Sequence, residues 1–521
     1  MAGRTITSIA RTSLAIVAAL AAMGGFVVWR SSLSPSPHDL ADRAAFDSSA
    51  AIDESALRAL CAHCHFFPEP ETLPRAAWRN VITDMAGLPG YGVNVPRPIS
   101  PAAIAEWYEE RAPAEYTFPA TAAGLDPGPF RARVRRLSPD ETLPQPVVSH
   151  VKFADLLDDP GLELLVCEMR HGRVLLGRPA AGSTTLEVLA EVPHPAHAEA
   201  VDLDGDGLCD VVVANLGSFL PLDHNLGSVE WLRQTAPGVF QRITLFDGLG
   251  RVADVQPADL DGDGDVDLIV AEFGWRATGH LLVLENVTSD WSRPEFIAHY
   301  LDGRSGAIHA PVADLDGDGR PDIVALFAQQ HEAVVAYLNR GDFRFDLREL
   351  DRAPHPAWGF SGMQLADLDG DGDLDVLVTN GDTLDDGRIK PDHGINWLEN
   401  RGNLEFVPHR LAVMYGVHRA EAADLDGDGD LDIVACAFTG WDHPEAAAAI
   451  SPVPTAALLW LEQVAPGRFR RRNLDLGPCR HPTLTVGDFD GDGDVDFAVG
   501  NAAADESSVY SWVDVWENQL K

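Results

Sequence analysis

Two sets of residues in this chain have the types and spacing to do chemistry. The first is an acidic loop of nine residues, seen in full at Asp259-Leu-Asp261-Gly-Asp263-Gly-Asp265-Val-Asp267. The same D-x-D-G-D-G-x-x-D pattern starts again at Asp202, Asp314, Asp367, Asp424 and Asp488. Aspartates at positions 1, 3, 5 and 9, with the carbonyl of position 7, can surround one hard cation with oxygen, and the two glycines permit the sharp turn this requires. The expected ligand sets are Asp202, Asp204, Asp206 and Asp210; Asp259, Asp261, Asp263 and Asp267; Asp314, Asp316, Asp318 and Asp322; Asp367, Asp369, Asp371 and Asp375; Asp424, Asp426, Asp428 and Asp432; and Asp488, Asp490, Asp492 and Asp496. Calcium suits them, because magnesium demands a tighter octahedron and keeps its waters. An EF-hand is excluded: position 12 is Val213, Val270, Ala325, Val378, Ala435 or Val499 rather than glutamate, and β-branched sequence follows. Solvated acidic turns without metal are the plainer reading, but four crowded carboxylates repel one another unless a cation sits among them. About six structural calcium ions are expected.

The second set is Cys61-Ala-His63-Cys64-His65, the c-type haem attachment pattern. Two thiols two residues apart form thioethers to the haem vinyls, and His65 becomes the proximal iron ligand. A zinc site would need two further ligands, and a short-loop disulfide is the bland alternative. Leu57, Leu60, Cys61 and Cys64 fall at i, i+3, i+4 and i+7, so a helix beginning near Asp53 carries the motif. A second helix starts at Pro74 with Trp78, Val81, Ile82 and Met85 on one face, and a third has Ser100 as cap, Pro101 as first residue, Ile104, Trp107 and Tyr108, ending by Pro113. Three helices around one covalent haem c make a small all-α, cytochrome c-like domain over residues 51–118, with the haem completing its core. Met85 is the only methionine of this segment and the expected sixth ligand, so Cys61, Cys64, His65 and Met85 form the haem-binding set.

The elements that position the acidic loops form an array. The loops start 53 to 64 residues apart, a period that marks a repeat architecture. Each follows a short strand such as His197-Ala-Glu199-Ala-Val201 and runs into a buried one such as Val211-Val-Val-Ala214. Two more follow, like Asn396-Trp-Leu-Glu-Asn400 and Phe406-Val-Pro-His-Arg-Leu411. A seventh, degenerate unit begins at Asp155, with acids at positions 1, 5 and 9 but Leu157 at position 3, so weak calcium binding or none is expected there. The last unit stops at Trp516-Glu517-Asn518 without a tail strand, while a spare one, residues 130–137, precedes the first. Seven four-stranded units closed by that strand form a mainly β, seven-bladed β-propeller over residues 119–521, with no open edge.

The array resembles the FG-GAP/VCBS repeat family, the calcium-cage propellers that include integrin α heads. Together with Cys61-Ala-His-Cys64-His65, Phe67-Pro68-Glu69-Pro70, Trp78 and Met85, it is similar to exported bacterial FG-GAP proteins with an N-terminal haem motif. That resemblance implies haem and calcium; it names no substrate.

Of 521 residues, 80 are acidic and 39 basic, for a net charge of −41. This opposes binding to nucleic acid or to an anionic membrane surface. Six calcium ions would bring −41 to about −29, so much of the acidity is internal ligand. Residues 1–30 read as an export element: Arg4 and Arg11, an apolar run from Ser13 to Trp29, then Arg30. Its length sits at the short end of the roughly 17–25 residues that span a bilayer. An uncleaved anchor is the reading taken, with a signal peptide cleaved after Ala21 as its alternative. Residues 31–50 are a linker. The expected location is periplasmic or cell-surface, anchored in the inner membrane.

Polar residues before each loop should line the propeller channel: His150, Lys152, His197, Glu199, Asp254, Gln256, His309, Gln364, Arg419, Glu421, Thr483 and Thr485. Glu168, Arg170, His171, Glu272, Trp275, Arg276, His331, Asp382 and His443 should emerge on the same side. These make either a hydrated channel mouth or a ligand pocket. Cys167, Cys209, Cys436 and Cys479 either pair or stay as buried thiols. The functional expectation is an extracytoplasmic, membrane-tethered c-type cytochrome for electron transfer, its propeller docking a redox partner protein or a small-molecule ligand. A propeller dehydrogenase feeding electrons from a sugar or alcohol to the haem, and an integrin-like adhesion scaffold, are the alternatives. With no nucleophile–base pair recognisable, an electron carrier is preferred to a catalyst.

Overall fold

The computed structural model describes residues 52–62, 65–87, 99–121, 124–141, 143–157, 161–179, 182–384, 387–439, 455–502 and 511–520. The anchor and linker over residues 1–50, Cys64 and His443 lie outside them. Among the described residues no helix is long and apolar enough to cross a membrane. The chain divides into two compact units, Met1–Leu60 with Ala77–Glu110, and Cys61–Ala76 with Arg111–Lys521.

Among the described residues, three α-helices precede the strands: α1 (Glu54–Cys61), α2 (Arg75–Ala86) and α3 (Pro101–Arg111). The Ser100 hydroxyl accepts the Ala103 N–H at 3.1 Å, which caps α3 as its sequence predicts. Within the first unit, α2 and α3 pack through Trp78 stacked on Tyr108, ring centroids 3.8 Å apart, and a two-pronged Arg79–Glu109 pair at 2.8 and 2.6 Å.

The second unit holds seven antiparallel sheets. Strand β1 (Ala132–Leu137) pairs with Val513–Asn518, placing Ala132 opposite Asn518 and Leu137 opposite Val513. The N-terminal strand therefore completes the last blade and closes the ring. Blade 1 contains β2 (Val148–Ala154), β3 (Glu163–Glu168), β4 (Arg173–Gly177) and β5 (Leu186–Glu191) in sequence order. Blades 2 to 7 are those whose acidic loops start at Asp202, Asp259, Asp314, Asp367, Asp424 and Asp488. The first strands of successive blades contact one another around the axis. Second strands are buried throughout, as at Asp210–Asn215 and Asp432–Ala437, which matches their unbroken apolar sequence. The core lies between blades: Val212, Trp231, Val255, Leu268 and Leu282 form one cluster shared by blades 2 and 3. In blade 4 the first strand breaks into Ala307–His309 and Val312–Ala313, because Pro311 between them has no N–H to give the ladder.

Candidate functional site

Each acidic loop folds on its own carboxylates. In blade 3, Asp259 accepts the N–H of Gly262 at 2.8 Å and of Gly264 at 3.1 Å, and Asp263 accepts that of Asp265 at 2.8 Å. Gly262 and Gly264 have φ of +82° and +95° with open space where a Cβ would be, so the backbone conformation, not crowding, demands glycine. The ninth residue is buried and splits its two oxygens between blade elements. Asp267 takes the Leu260 N–H at 3.1 Å and, across the sheet, the Asn286 N–H at 2.8 Å. Asp375 does the same with Leu368 and Asn400, and Asp496 with Phe489 and Asn518.

The remaining oxygens converge. In the loops beginning at Asp202, Asp259, Asp314, Asp367 and Asp424, three carboxylates each bring one oxygen to within 4.8 Å of the others. Asp316 Oδ1, Asp426 Oδ1, Asp432 Oδ2 and Asp494 Oδ1 are buried without a hydrogen-bond donor. Burial first, and neighbouring carboxylates second, push Asp432 and Asp496 up to about 7, and Asp210, Asp267 and Asp375 up to about 6. Oxygen-only donors with orphaned, crowded charge fit a hard divalent cation. Glu163 occupies the ninth position of the degenerate unit in blade 1 and accepts the Leu156 N–H at 2.9 Å, so the scaffolding role survives there.

In the segment that carries the Cys61-Ala-His-Cys64-His65 sequence, Cys61 is the last residue of α1. The imidazole of His65 donates from Nδ1 to the Phe66 carbonyl at 2.7 Å, which leaves Nε2 as the lone-pair nitrogen. A histidine prepared to bind iron through Nε2 is held in this way. Met85 sits half-buried on α2, in the other compact unit from His65. The Phe66 ring lies 6.0 Å from the Arg352 guanidinium, whose Nη1 reaches the His331 carbonyl at 3.5 Å. His331 itself is pushed down to about 4, chiefly by burial, with Arg304, Arg352 and His65 adding smaller contributions.

The FG-GAP-like repeat family matches residues 202–270 and 297–378, the stretch from the Asp202 loop through the second strand of blade 5. Over those two stretches the chain carries FG-GAP-like repeats. No curated protein matches it. A solved structure described as BBS1N in complex with ARL6DN, soaked with lead, is similar at 11% identity and a TM-score of 0.43, over 76% of this chain and 97% of that one.

The channel residues of the FG-GAP-like propeller do meet, and they satisfy one another. His150 stacks on His197 with ring centroids 3.9 Å apart, and His197 Nε2 lies 2.8 Å from Glu199 and 3.2 Å from Asp254. Lys152 pairs with Glu199 from the neighbouring blade. Burial alone would raise the Glu199 carboxyl, but His197 and Lys152 outweigh it and hold it at about 2. Arg419 comes within 3.5 Å of His309 and bonds Glu421 at 3.0 Å. Gln364 accepts the Ala422 N–H, and Thr483 and Thr485 meet the backbone of β2. A cation shared by His150, His197 and His309 is disfavoured, because Arg419 already stands beside His309.

Among the loop residues, Glu168 and Glu272 are scaffolding. Glu168 is fully buried and accepts the N–H groups of Val147, Arg170 and His171, while Glu272 holds Gly250 N–H and His280. Sequence alone did not single out Asp223, whose Oδ1 takes the N–H groups of Arg276, Ala277 and Thr278, tying the blade 2 loop to blade 3. Also unforeseen is a groove of about 230 Å³ between residues 69–72 and blade 5, lined by Glu69, Glu71, Tyr116, His355 and Asp392. His355 Nε2 lies 2.5 Å from Asp392 at its wall. Cys167, Cys209, Cys436 and Cys479 form no disulfide; burial raises all four thiols, Cys209 to about 11 and Cys479 to about 12.

Proposed function

We propose that this chain is an exported c-type cytochrome that transfers electrons, carried beside a calcium-stabilised propeller that serves as its docking platform. The observation that supports it most is His65: it follows Cys61-Ala-His-Cys64 and is fixed through Nδ1 to the Phe66 carbonyl, leaving Nε2 for iron. Cys61 and Cys64 would hold the haem by thioethers and His65 would be the proximal ligand. When bound, the haem supplies one-electron redox chemistry.

The residues of this chain divide the remaining work. Met85 is the candidate sixth ligand by residue type, since a thioether raises the potential. His331 is the second candidate, because Arg352 reaches its carbonyl at 3.5 Å and lies 6.0 Å from the ring centroid of Phe66, next to His65. Acidic loops of this pattern would hold calcium through four aspartates, pinning the start of the second strand to the third. The groove beside residues 69–72 presents Glu69, Glu71 and Asp392 close to the haem segment, a surface suited to a cationic patch on a redox partner. The apolar segment within residues 1–30 would tether the protein outside the cytoplasm.

The test is a visible spectrum of the full-length protein, made in a host that attaches c-type haem and titrated with reductant. A reversible one-electron change that disappears in Cys61→Ala supports the reading. A protein that stays colourless in such a host rejects it.

A further inference from the structure

The six acidic loops are not equivalent. In blades 3, 5, 6 and 7 position 7 is a further aspartate (Asp265, Asp373, Asp430, Asp494), and the third strand brings up a glutamate (Glu285, Glu399, Glu462, Glu517) one residue before the one bonded to the ninth aspartate. The basic groups nearby are spent on that glutamate: His299 on Glu285, Arg401 and His409 on Glu399, Arg472 on Glu462, Arg135 on Glu517. Among the described residues, no lysine or arginine is ion-paired with a loop aspartate in those four blades.

Blades 2 and 4 are built the other way. Position 7 is Leu208 or Arg320. In blade 2 the third strand presents Arg233 where its counterparts present glutamate. Its Nη2 lies 2.5 Å from Asp204 Oδ2 and 3.8 Å from Asp206 Oδ2, and its guanidinium is 5.4 Å from the Trp231 ring centroid. In blade 4, Arg340 Nη1 lies 2.9 Å from Asp316 Oδ2 and 3.1 Å from Asp318 Oδ2, while Arg320 also pairs with Asp318 and donates to the Asn339 carbonyl at 2.8 Å. These carboxylates, at positions 3 and 5, belong to the ligand sets expected for a metal ion. A guanidinium that already neutralises them both competes for the ligand atoms and repels a dication a few ångströms away.

We infer that the loops fall into two classes: four that take a calcium ion, and two, at Asp202 and Asp314, whose cation is the protein's own arginine. This rests on the calcium reading of the other four loops. Blades 2 and 4 would then keep their loops folded when calcium is scarce, while the remaining blades depend on it.

Equilibrium dialysis against calcium, with the bound metal counted per chain by mass spectrometry, tests both statements separately. The expected count is four tight sites in the native sequence. Arg233→Ala should add one, Arg320→Ala with Arg340→Ala should add one, and the three changes together should give six, with unfolding midpoints confirming that each variant is folded. Six equivalent sites in the native protein would overturn the inference and leave the calcium reading intact. A count of four that the substitutions do not move would overturn it too. No bound calcium at all would reject both.

Discussion

Arg135 of the closing strand and Glu517 of the last strand form a buried ion pair between residues 382 positions apart in the sequence. Arg135 also donates to the Pro179 carbonyl at 3.2 Å and lies 5.2 Å from the Phe489 ring centroid, so one side chain joins blade 1, blade 7 and the strand that closes the ring. Removing one member of a buried pair strands the other charge, which costs about 3–5 kcal/mol. Arg135→Ala should therefore lower the unfolding free energy of the propeller by that amount in a urea titration. Arg133→Ala, at an exposed position 3.8 Å from the same glutamate, should cost less than about 1 kcal/mol. Equal effects would mean that closure does not depend on the buried pair.

Calcium removal should destabilise the propeller. A ligand at 100 times its dissociation constant stabilises the folded state by about 2.7 kcal/mol per site. Addition of a chelator should lower the melting temperature measured by calorimetry, and excess calcium should restore it. An unchanged melting temperature would speak against metal in any of the loops.

The Glu199 carboxyl is held at about 2 against an ordinary 4.5 by His197 and Lys152, overcoming its burial. A folded-state value below the unfolded one stabilises the protein fully above pH 4.5, and the contribution is lost as pH falls from there toward 2. Its size is on the order of 3 kcal/mol. Glu199→Gln should thus be less stable than the native protein at pH 6, with the gap shrinking as the pH drops below 4.5. A gap that widens on acidification would contradict the network described.

Met85→Ala and His331→Ala separate the two candidates for the sixth iron ligand. Loss of a methionine–iron charge-transfer band in the oxidised Met85→Ala protein, with His331→Ala unchanged, assigns methionine. A native spectrum of two-histidine type that changes only in His331→Ala assigns the propeller residue.

Much of the propeller was legible because its signals are local. The repeated loop dictates a turn, the apolar run after it dictates a buried strand, and a spare strand at residues 130–137 lacked any other place to pair; the structure puts it at Ala132–Leu137. Ser100 announced its helix by the same kind of short-range chemistry. What escaped depends on which blade faces which. Arg233, in the third strand of blade 2, and Arg340, just past that of blade 4, carry no sign of their role until the strand is folded back over the loop. Glu168 and Glu272 read as residues of a channel mouth or ligand pocket because nothing in their neighbourhood reveals the backbone N–H groups that enclose them. The channel residues were found by their position before each loop, but their mutual pairing across blades is a property of closure. Pro311 was the one local sign of the broken strand in blade 4.

The most direct test of the whole account is the mass of the intact, exported chain under denaturing conditions, where a non-covalent group would be lost. The account predicts the polypeptide plus one haem, with the added mass absent from a Cys61→Ala, Cys64→Ala double variant. A chain of bare polypeptide mass, isolated from a host that attaches haem to its other c-type cytochromes, would contradict it.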